Sequence, residues 1–192
     1  MKDEEILLKS SENKHPTSWS RDGRFLLYTV AHAKGKSEIR VLPMAGDNKP
    51  VPFLITEFNE GQARFSPDSH WVAYTSDESG HDEVYVRSFS VNSAGTVAEA
   101  SGKWQVSNRG GNFPRWRNDG RELYYRSPGD GKVMAVEIAT SPVFRAGKPQ
   151  PLGLVLPGAW DSADGKRFLA AVSPDGPQPD TVVLNWQAGL KK

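Results

Sequence analysis

The sequence repeats one short unit four times. In each unit an aromatic residue ends a strand-like segment, a turn built on aspartate follows, and a second strand rich in aromatic and β-branched residues comes next. The turn aspartates stand at positions 22, 68, 119 and 164, so successive units are 46, 51 and 45 residues apart. A period of about 40–50 residues with several short strands per repeat is typical of the blades of a β-propeller.

The aspartate and glycine of the repeated turn have the same structural explanation in every unit. An Asp-Gly pair favours a tight turn, since glycine adopts positive φ without strain. We predict that these residues serve the fold rather than catalysis or metal binding, because every blade needs them. Ser69 replaces the glycine of the second unit, so that turn is expected to be strained or of another type. The predicted structural turn residues are Asp22, Gly23, Asp68, Asp119, Gly120, Asp164 and Gly165.

The aromatic residue that precedes each turn is expected to fill the space between neighbouring sheets. No stretch shows sustained apolar spacing at helical period, so almost no helix is expected. The sequence therefore predicts an all-β chain, a propeller of four blades forming a single domain over residues 1–192. The blades are predicted at about 18–56, 62–107, 113–152 and 158–187 plus 4–9.

The last blade has three strand signals and lacks a fourth. Residues 4–9 form a short strand signal of their own, and we predict that they complete that blade and close the ring, with Ile6, Leu7 and Leu8 pairing with residues 182–186. Without this strand, the blade would expose an unpaired edge. The alternatives are that the chain belongs to a larger propeller, or that two copies join into one ring. The predicted state is therefore a monomer or a homodimer.

Composition excludes several kinds of site. The chain has no cysteine, which excludes disulfides, thiolate chemistry and cysteine-bearing zinc sites. The four histidines show neither H-x-H nor H-E-x-x-H spacing, so no metal and no cofactor is expected. Around His81, the acidic residues 77, 78, 82 and 83 are interpreted as a solvated loop rather than a cation site. The net charge of +1 gives no bulk attraction for nucleic acid.

The chain carries neither a secretion-signal pattern at its start nor an apolar run of the roughly 20 residues that span a bilayer. No membrane insertion of this chain is expected, and its compartment stays open. Arg115-Trp116-Arg117 mixes basic and aromatic residues, but strand alternation points Trp116 inward and the arginines the other way. Nucleic-acid binding is therefore not expected.

Two turn segments, W-S-R-D-G-R-F (19–25) and F-S-P-D-S-H-W-V-A-Y-T-S (65–76), resemble the S-P-D-G repeats of TolB-like, WD-type propellers. Residues 56–80, residues 110–125 and the ending T-V-V-L-N-W-Q-A-G-L-K-K resemble the C-terminal propeller of acidobacterial eukaryotic-like serine/threonine kinases. The resemblance covers essentially the whole chain. It implies a sensor or scaffold propeller that binds a protein or ligand, and a periplasmic location when a membrane span attaches it to a kinase.

Catalytic motifs are missing from the sequence. There is no G-x-G-x-x-G-x-V loop, no H-R-D and no D-F-G, so the chain is not itself a kinase. No G-x-S-x-G elbow is present either. We therefore expect a non-catalytic binding propeller and not an enzyme. The alternatives are a cryptic hydrolase that uses the channel mouth and a purely structural fragment that associates with itself.

Propeller ligands commonly bind where loops enter the innermost strands at one mouth of the channel. The expected partner is a protein or peptide, and Arg109 is a candidate to hold a carboxylate or a peptide C-terminus. Gly110 and Gly111 would let a ligand approach the backbone, but the favoured alternative is that they only permit a sharp turn between blades. The predicted ligand-binding residues are His15, Asn59, Glu60, Gln62, Arg109 and Asn112.

Overall fold

The computed structural model describes residues 6–46, 48–92, 97, 101–141, 143–156, 159–162, 164–171 and 182–184, with the backbone alone at 34 and 182–184. These residues form antiparallel strands and one 3-10 turn, Ala33–Gly35, with no α-helix among them. The all-β prediction is confirmed. The strands are β1 Asn13–Trp19, β2 Phe25–Ala31, β3 Ser37–Pro43, β4 Val51–Leu54, β5 Glu60–Phe65, β6 Trp71–Ser76, β7 Glu83–Ser88, β8 Trp104–Gln105, β9 Asn112–Trp116, β10 Glu122–Arg126, β11 Lys132–Ala139, β12 Arg145–Ala146, β13 Gln150–Val155, β14 Trp160–Asp161, β15 Arg167–Ala170 and β16 Val182–Leu184.

Within the described ranges, the strands make four sheets, and pairing follows the chain order within each sheet except that β13 pairs with β11 and not with β12. The orders are β1-β2-β3-β4, β5-β6-β7-β8, β9-β10-β11 with both β12 and β13 on β11, and β14-β15-β16. This up-and-down arrangement is that of propeller blades. Strand β5 contacts both β1 and β9, so the first strands of successive sheets lie next to one another. We call β1, β5, β9 and β14 the inner strands.

The described core lies mainly between the sheets. One apolar cluster fills the space between the first and second sheets, another lies between the second and third, and another between the third and fourth. Strand β10 shows how alternation serves two clusters at once, because Leu123 and Tyr125 face the second sheet while Tyr124 faces the fourth. Burying each such side chain stabilises the fold by about 1.5–3 kcal/mol.

The turn after each inner strand is held by its own aspartate. In the first turn, Asp22 Oδ1 accepts the Ser20 hydroxyl at 2.7 Å and the Arg24 backbone N–H at 3.1 Å. The hydrogen bond from Ser20, with those from Arg24, lowers the pKa of Asp22 to about 2. The equivalent aspartates, Asp68, Asp119 and Asp164, accept backbone N–H groups in the same way. Their structural role is therefore visible in the hydrogen bonds.

The glycine position of these turns has positive φ throughout. It is +72° at Gly23, +73° at Gly120 and +69° at Gly165. Ser69 takes the same conformation with φ of +59°, which is strained for a residue with a Cβ. The Ser69 hydroxyl accepts the Arg21 backbone N–H at 3.1 Å, so this side chain links two successive turns. The second turn is therefore strained but of the same kind as the others.

The predicted closing strand is not formed by the described part of the N-terminal segment. Residues 6–9 adopt no strand, and Ile6 is 75% exposed. Leu8 instead packs against an apolar cluster on the first sheet, where its side chain is partly buried without strand pairing. In the described chain β16 pairs with β15 alone, and no apolar cluster joins the fourth sheet to the first. Residues 4, 5, 185 and 186 of the predicted pairing lie outside the described residues.

The part of the chain that the structure describes contains no helix long and apolar enough to cross a membrane.

Candidate functional site

Two of the predicted mouth residues, Asn59 and Glu60, make contacts within the fold. The Asn59 side-chain amide donates to Asp77 Oδ2 at 2.7 Å, and its Oδ1 accepts the Ser37 backbone N–H at 3.1 Å. Glu60 is only 2% exposed. Its Oε1 accepts the Thr56 hydroxyl, while its Oε2 is buried with no hydrogen-bond partner among the described residues. Burial raises the pKa of Glu60.

Replacing Glu60 with glutamine is expected to raise the melting temperature at pH 7. Because the pKa of Glu60 is higher in the folded state than in the unfolded state, ionisation at neutral pH destabilises the fold, and this penalty vanishes below the unfolded pKa. Glutamine removes the charge and keeps an oxygen for Thr56. Thermal melts should show a gain of a few degrees, since about 1 kcal/mol shifts Tm by roughly 2–4 °C, and the gain should shrink towards pH 4.

The control for this prediction is Glu57→Gln, which removes a charge from an exposed neighbour. It should leave the melting temperature unchanged within about 1 °C at both pH values. A Glu60→Gln variant that melts lower than the parent protein at pH 7 would contradict the interpretation of a penalised buried carboxylate.

Gln62 and Asn112 lie where the second and third inner strands approach each other. Gln62 Oε1 accepts the Phe113 backbone N–H at 2.6 Å and the Thr75 hydroxyl at 2.9 Å. Asn112 Oδ1 accepts Arg126 Nε at 3.3 Å. The structure therefore brings Gln62 beside the strand that carries Asn112, and both side chains hold sheet elements together. Their predicted role in ligand binding stays a prediction.

His15 and Arg109 are exposed, on β1 and in the loop before β9. Gly110 has φ of +84°, and its N–H donates to Glu83 Oε1 at 2.9 Å. A Cβ at Gly110 would lie 2.4 Å from Pro128 Cγ. The close packing of this glycine supports the alternative in which the glycines permit a tight connection.

Glu83 is a structurally important residue that the sequence patterns did not single out. It was expected to belong to a solvated acidic loop, but it is 1% exposed. Its carboxylate accepts the Ser107 hydroxyl and the Gly110 N–H, and it contacts His81 Nε2 at 2.9 Å. Burial occurs because these donors replace water. Within the described ranges, no group of three or more His, Asp or Glu side chains suits a metal ion.

A cleft of about 480 Å³ opens beside the turns, at the opposite ends of the inner strands from the predicted mouth. Its walls come from all four sheets, and none of the six predicted ligand-binding residues lines it. We call it the central cleft, lined by Trp19, Arg21, Arg64, Arg115, Trp116 and Asp161 among others. A groove of about 930 Å³ shares part of this wall, including Arg21 and Trp116, and continues along the third sheet to Ser141. We call it the turn groove.

The two tryptophans of the central cleft differ in burial, although they occupy equivalent repeat positions. Trp116 is 7% exposed, and its Nε1 donates to the Arg64 carbonyl at 3.2 Å. Trp19 is 51% exposed. The expectation that each such aromatic fills the space between sheets is therefore wrong for Trp19, because none of the apolar clusters of described residues includes it. An exposed indole in a cleft can contact a ligand with little loss of conformational entropy.

Arg64 and Arg115 also occupy equivalent positions, one residue before the aromatic of the second and third units. A β-bulge precedes each of them on its inner strand, with φ of +56° at Gln62 and +55° at Phe113. A bulge redirects the side chains that follow it, and positive φ in residues other than glycine is a form of strain often found at functional sites. The bulges therefore direct both arginines to the central cleft. The recurring letters R-F and R-W before the turn are the sequence signal for this pair.

Arg115 is buried and Arg64 is half-buried, and little opposite charge accompanies them. Arg115 is 9% exposed, donates from Nε to the Trp160 carbonyl at 3.0 Å, and lies 3.4 Å from Asp161 Oδ1. Burial, together with repulsion from Arg64, lowers the pKa of Arg115 to about 10 despite the opposing effect of Asp161. Burial lowers the pKa of Arg64 as well. The cleft therefore has a positive interior.

No protein-family model matches this chain, and no curated protein matches it in sequence. Solved structures do match. TolB from Acinetobacter baumannii superimposes with a TM-score of 0.61 at 20% identity, over 88% of this chain and 40% of that one. Hydrazine synthase from Kuenenia stuttgartiensis gives 0.56 at 17%, over 87% and 57%. Prolyl oligopeptidase B from Galerina marginata gives 0.50 at 13%, over 80% and 23%. The chain has a TolB-like β-propeller fold.

The TolB-like propeller spans between 23% and 57% of the length of these structures. Their names include enzymes as well as TolB, so the shared fold leaves catalysis open. The described residues offer a concave surface beside the turns, an exposed tryptophan, one buried arginine and one half-buried arginine. Such a surface is suited to holding an anionic or aromatic segment.

Proposed function

We propose that this TolB-like propeller is a non-catalytic binding module that receives a peptide segment of a partner protein in the central cleft and the turn groove. The observation that carries the proposal is Trp19, an indole 51% exposed at the wall of the central cleft. Tryptophan and arginine are the residues most enriched among those that dominate protein binding energy. The groove offers room for the residues on either side of the one bound in the cleft.

Binding is favoured over hydrolysis by the chemistry of the cleft wall. Asp161 is the one carboxylate among the described residues that line it, and these residues include no histidine. The Ser66 hydroxyl donates to Asp68 within its own turn and the Ser162 hydroxyl donates to the Arg167 carbonyl at 2.7 Å. The Asp68 carboxylate also accepts the His70 backbone N–H and so holds the turn, and a backbone carbonyl such as that of Arg167 is not a base. Neither serine therefore has the histidine or lysine partner that commonly activates a nucleophilic hydroxyl.

A finer proposal is that the module is the sensor region of a receptor-type serine/threonine kinase. Its support is the sequence resemblance at residues 56–80 and 110–125. Sequencing the gene on the 5′ side of the codon for Met1 tests this. A reading frame continuous with this one that encodes a membrane span and the H-R-D and D-F-G motifs is expected. A stop codon in frame directly before Met1 would contradict it.

The binding proposal is tested by selecting displayed random peptides on the immobilised propeller. Trp19→Ala should weaken the selected peptides at least tenfold, because the exposed indole supplies contact area to the ligand. Its melting temperature should stay within about 2–4 °C of the parent protein, because Trp19 packs in no core cluster of the described residues. Fluorescence polarisation measures the affinities.

The matched control for the peptide experiment is Ile55→Ala, which removes an apolar side chain 49% exposed outside the central cleft. It should leave peptide affinity unchanged. Peptides that bind Trp19→Ala as tightly as the parent protein, or a selection that yields no specific peptide, would contradict the proposed function.

A further inference from the structure

We propose that Arg64 and Arg115 together bind a carboxylate of the peptide ligand inside the central cleft. This inference rests on the proposed function, and it names the chemical group for which the site is selective. The group is the carboxylate itself, carried either by the peptide's C-terminus or by an acidic side chain. It differs from the sequence prediction, which assigned this role to Arg109 at the other end of the inner strands.

The two arginines occupy a position that repeats in the fold. Arg64 and Arg115 hold the same position in adjacent repeats, and each follows a bulge that contains a residue with strained positive φ, Gln62 or Phe113. The equivalent position in the first repeat is Ser18, whose hydroxyl accepts the Phe65 backbone N–H at 3.1 Å. A bulge also precedes Ser18 on the first inner strand, but no charged side chain follows it, and the fourth unit has Ala159 at this position. Charge is thus present at this position only in the second and third units.

Both guanidinium groups have N–H donors that no described acceptor uses. A guanidinium has five N–H donors and no acceptor. Arg64 donates from Nη1 to the Thr17 carbonyl, while its Nε is buried with no acceptor among the described residues. Arg115 donates from Nε and Nη1 to the carbonyls of Trp160 and Pro114. In the described chain, no hydrogen bond uses the Nη2 of either arginine.

The carbonyl contacts fix both side chains in position and leave donors that match the planar, two-oxygen geometry of a carboxylate. Because the side chains are already ordered, binding a carboxylate there costs little additional conformational entropy.

The positive charge of the two arginines is only partly balanced within the central cleft. Placing a buried and a half-buried cation side by side is unfavourable unless an anion accompanies them. Asp161 is the available carboxylate, and its side chain is 69% exposed and also accepts the Ser162 backbone N–H at 2.9 Å. Of the described residues that line the cleft, three are arginines and one is an aspartate, so two positive charges are in excess. A carboxylate from the ligand would relieve the repulsion between Arg64 and Arg115.

The test uses N-acetylglycine, whose carboxylate resembles a peptide C-terminus, and N-acetylglycinamide, its neutral counterpart. Each is titrated into ¹⁵N-labelled protein at constant ionic strength near pH 6.5, and the arginine Nε–H signals are followed by NMR. The acid should shift the Arg64 and Arg115 signals with a dissociation constant on the order of 1–10 mM, and the amide should not. The α-amide of N-acetylaspartate has only its side-chain carboxylate free. The ratio of its affinity to that of N-acetylglycine therefore shows whether the site prefers an acidic side chain or a peptide C-terminus.

The variants Arg64→Gln and Arg115→Gln should each weaken binding of the acid at least tenfold. Arg145→Gln removes the same charge from an exposed strand outside the cleft and should change affinity less than twofold. Equal binding of acid and amide, equal loss in the Arg145→Gln control, or tighter binding of inorganic phosphate than of the acid would overturn the inference. Peptides that depend on Trp19 but not on either arginine would leave the proposed function standing and reject the carboxylate site alone.

Discussion

Replacing Trp116 with alanine is expected to lower the free energy of unfolding by about 3–5 kcal/mol. Trp116 is 7% exposed and belongs to the apolar cluster between the second and third sheets, which also contains Leu123 and Val84. Alanine leaves a cavity there, and the Arg64 carbonyl loses the hydrogen bond from the indole Nε1. The melting temperature should fall by roughly 6–20 °C, which thermal unfolding followed by circular dichroism measures directly.

The matched control lies in the same molecule at the equivalent repeat position. Trp19 has the same sequence context but is 51% exposed, so Trp19→Ala should cost less than about 1 kcal/mol. The pair of variants therefore separates burial from residue type. Equal losses of stability in the two variants would show that Trp19 is packed in the folded protein in solution.

The second large effect is expected at Glu83. Glu83→Ala should lower the free energy of unfolding by about 3 kcal/mol or more, because the Ser107 hydroxyl and the Gly110 N–H then lose their buried acceptor. His81 loses its partner as well. Urea denaturation should show a lower midpoint with an unchanged m-value, since the amount of surface exposed on unfolding stays the same.

Glu83→Gln is the informative comparison, because it preserves volume and one acceptor oxygen while placing an N–H₂ group among donors. The free energy of unfolding of Glu83→Gln should lie between the values of the parent protein and of Glu83→Ala. Glu57→Gln, at an exposed site, should have no measurable effect. An alanine variant within about 1 kcal/mol of the parent protein would contradict the structural role of this carboxylate.

Local chemistry explains which parts of the fold could be predicted from the sequence. The Asp-Gly turns at Asp22 and Asp119 close through hydrogen bonds between residues only a few positions apart, so the short sequence segment contains all the information that the turn needs. Even the strain at Ser69 follows from the identity of one residue at a position that requires positive φ. The positions of the strands can be predicted as well, because each strand begins or ends at one of these turns.

The candidate site could not be predicted in the same way. Strand alternation separates the two faces of a strand, but it does not tell a solvent-exposed face from the wall of a central cleft. Arg115 was correctly expected to point away from the face of Trp116, yet its burial depends on strands that are distant in sequence. Glu83 is similar, because its donors at Ser107 and Gly110 lie more than 20 residues away. The packing of Leu8 against the first sheet also depends on residues that are distant from it in sequence.

Three of the four described apolar clusters lie between sheets, so the residues that pack together come from two successive sequence repeats and not from one. A fragment that contains only the second or only the third sheet keeps its turns but divides the two clusters on either side of it. Both faces of such a fragment would expose apolar side chains. Truncated, duplicated or grafted versions of this chain should therefore begin and end at positions that keep both sheets of a cluster. Because adjacent sheets share a cluster, we expect them to unfold cooperatively on heating.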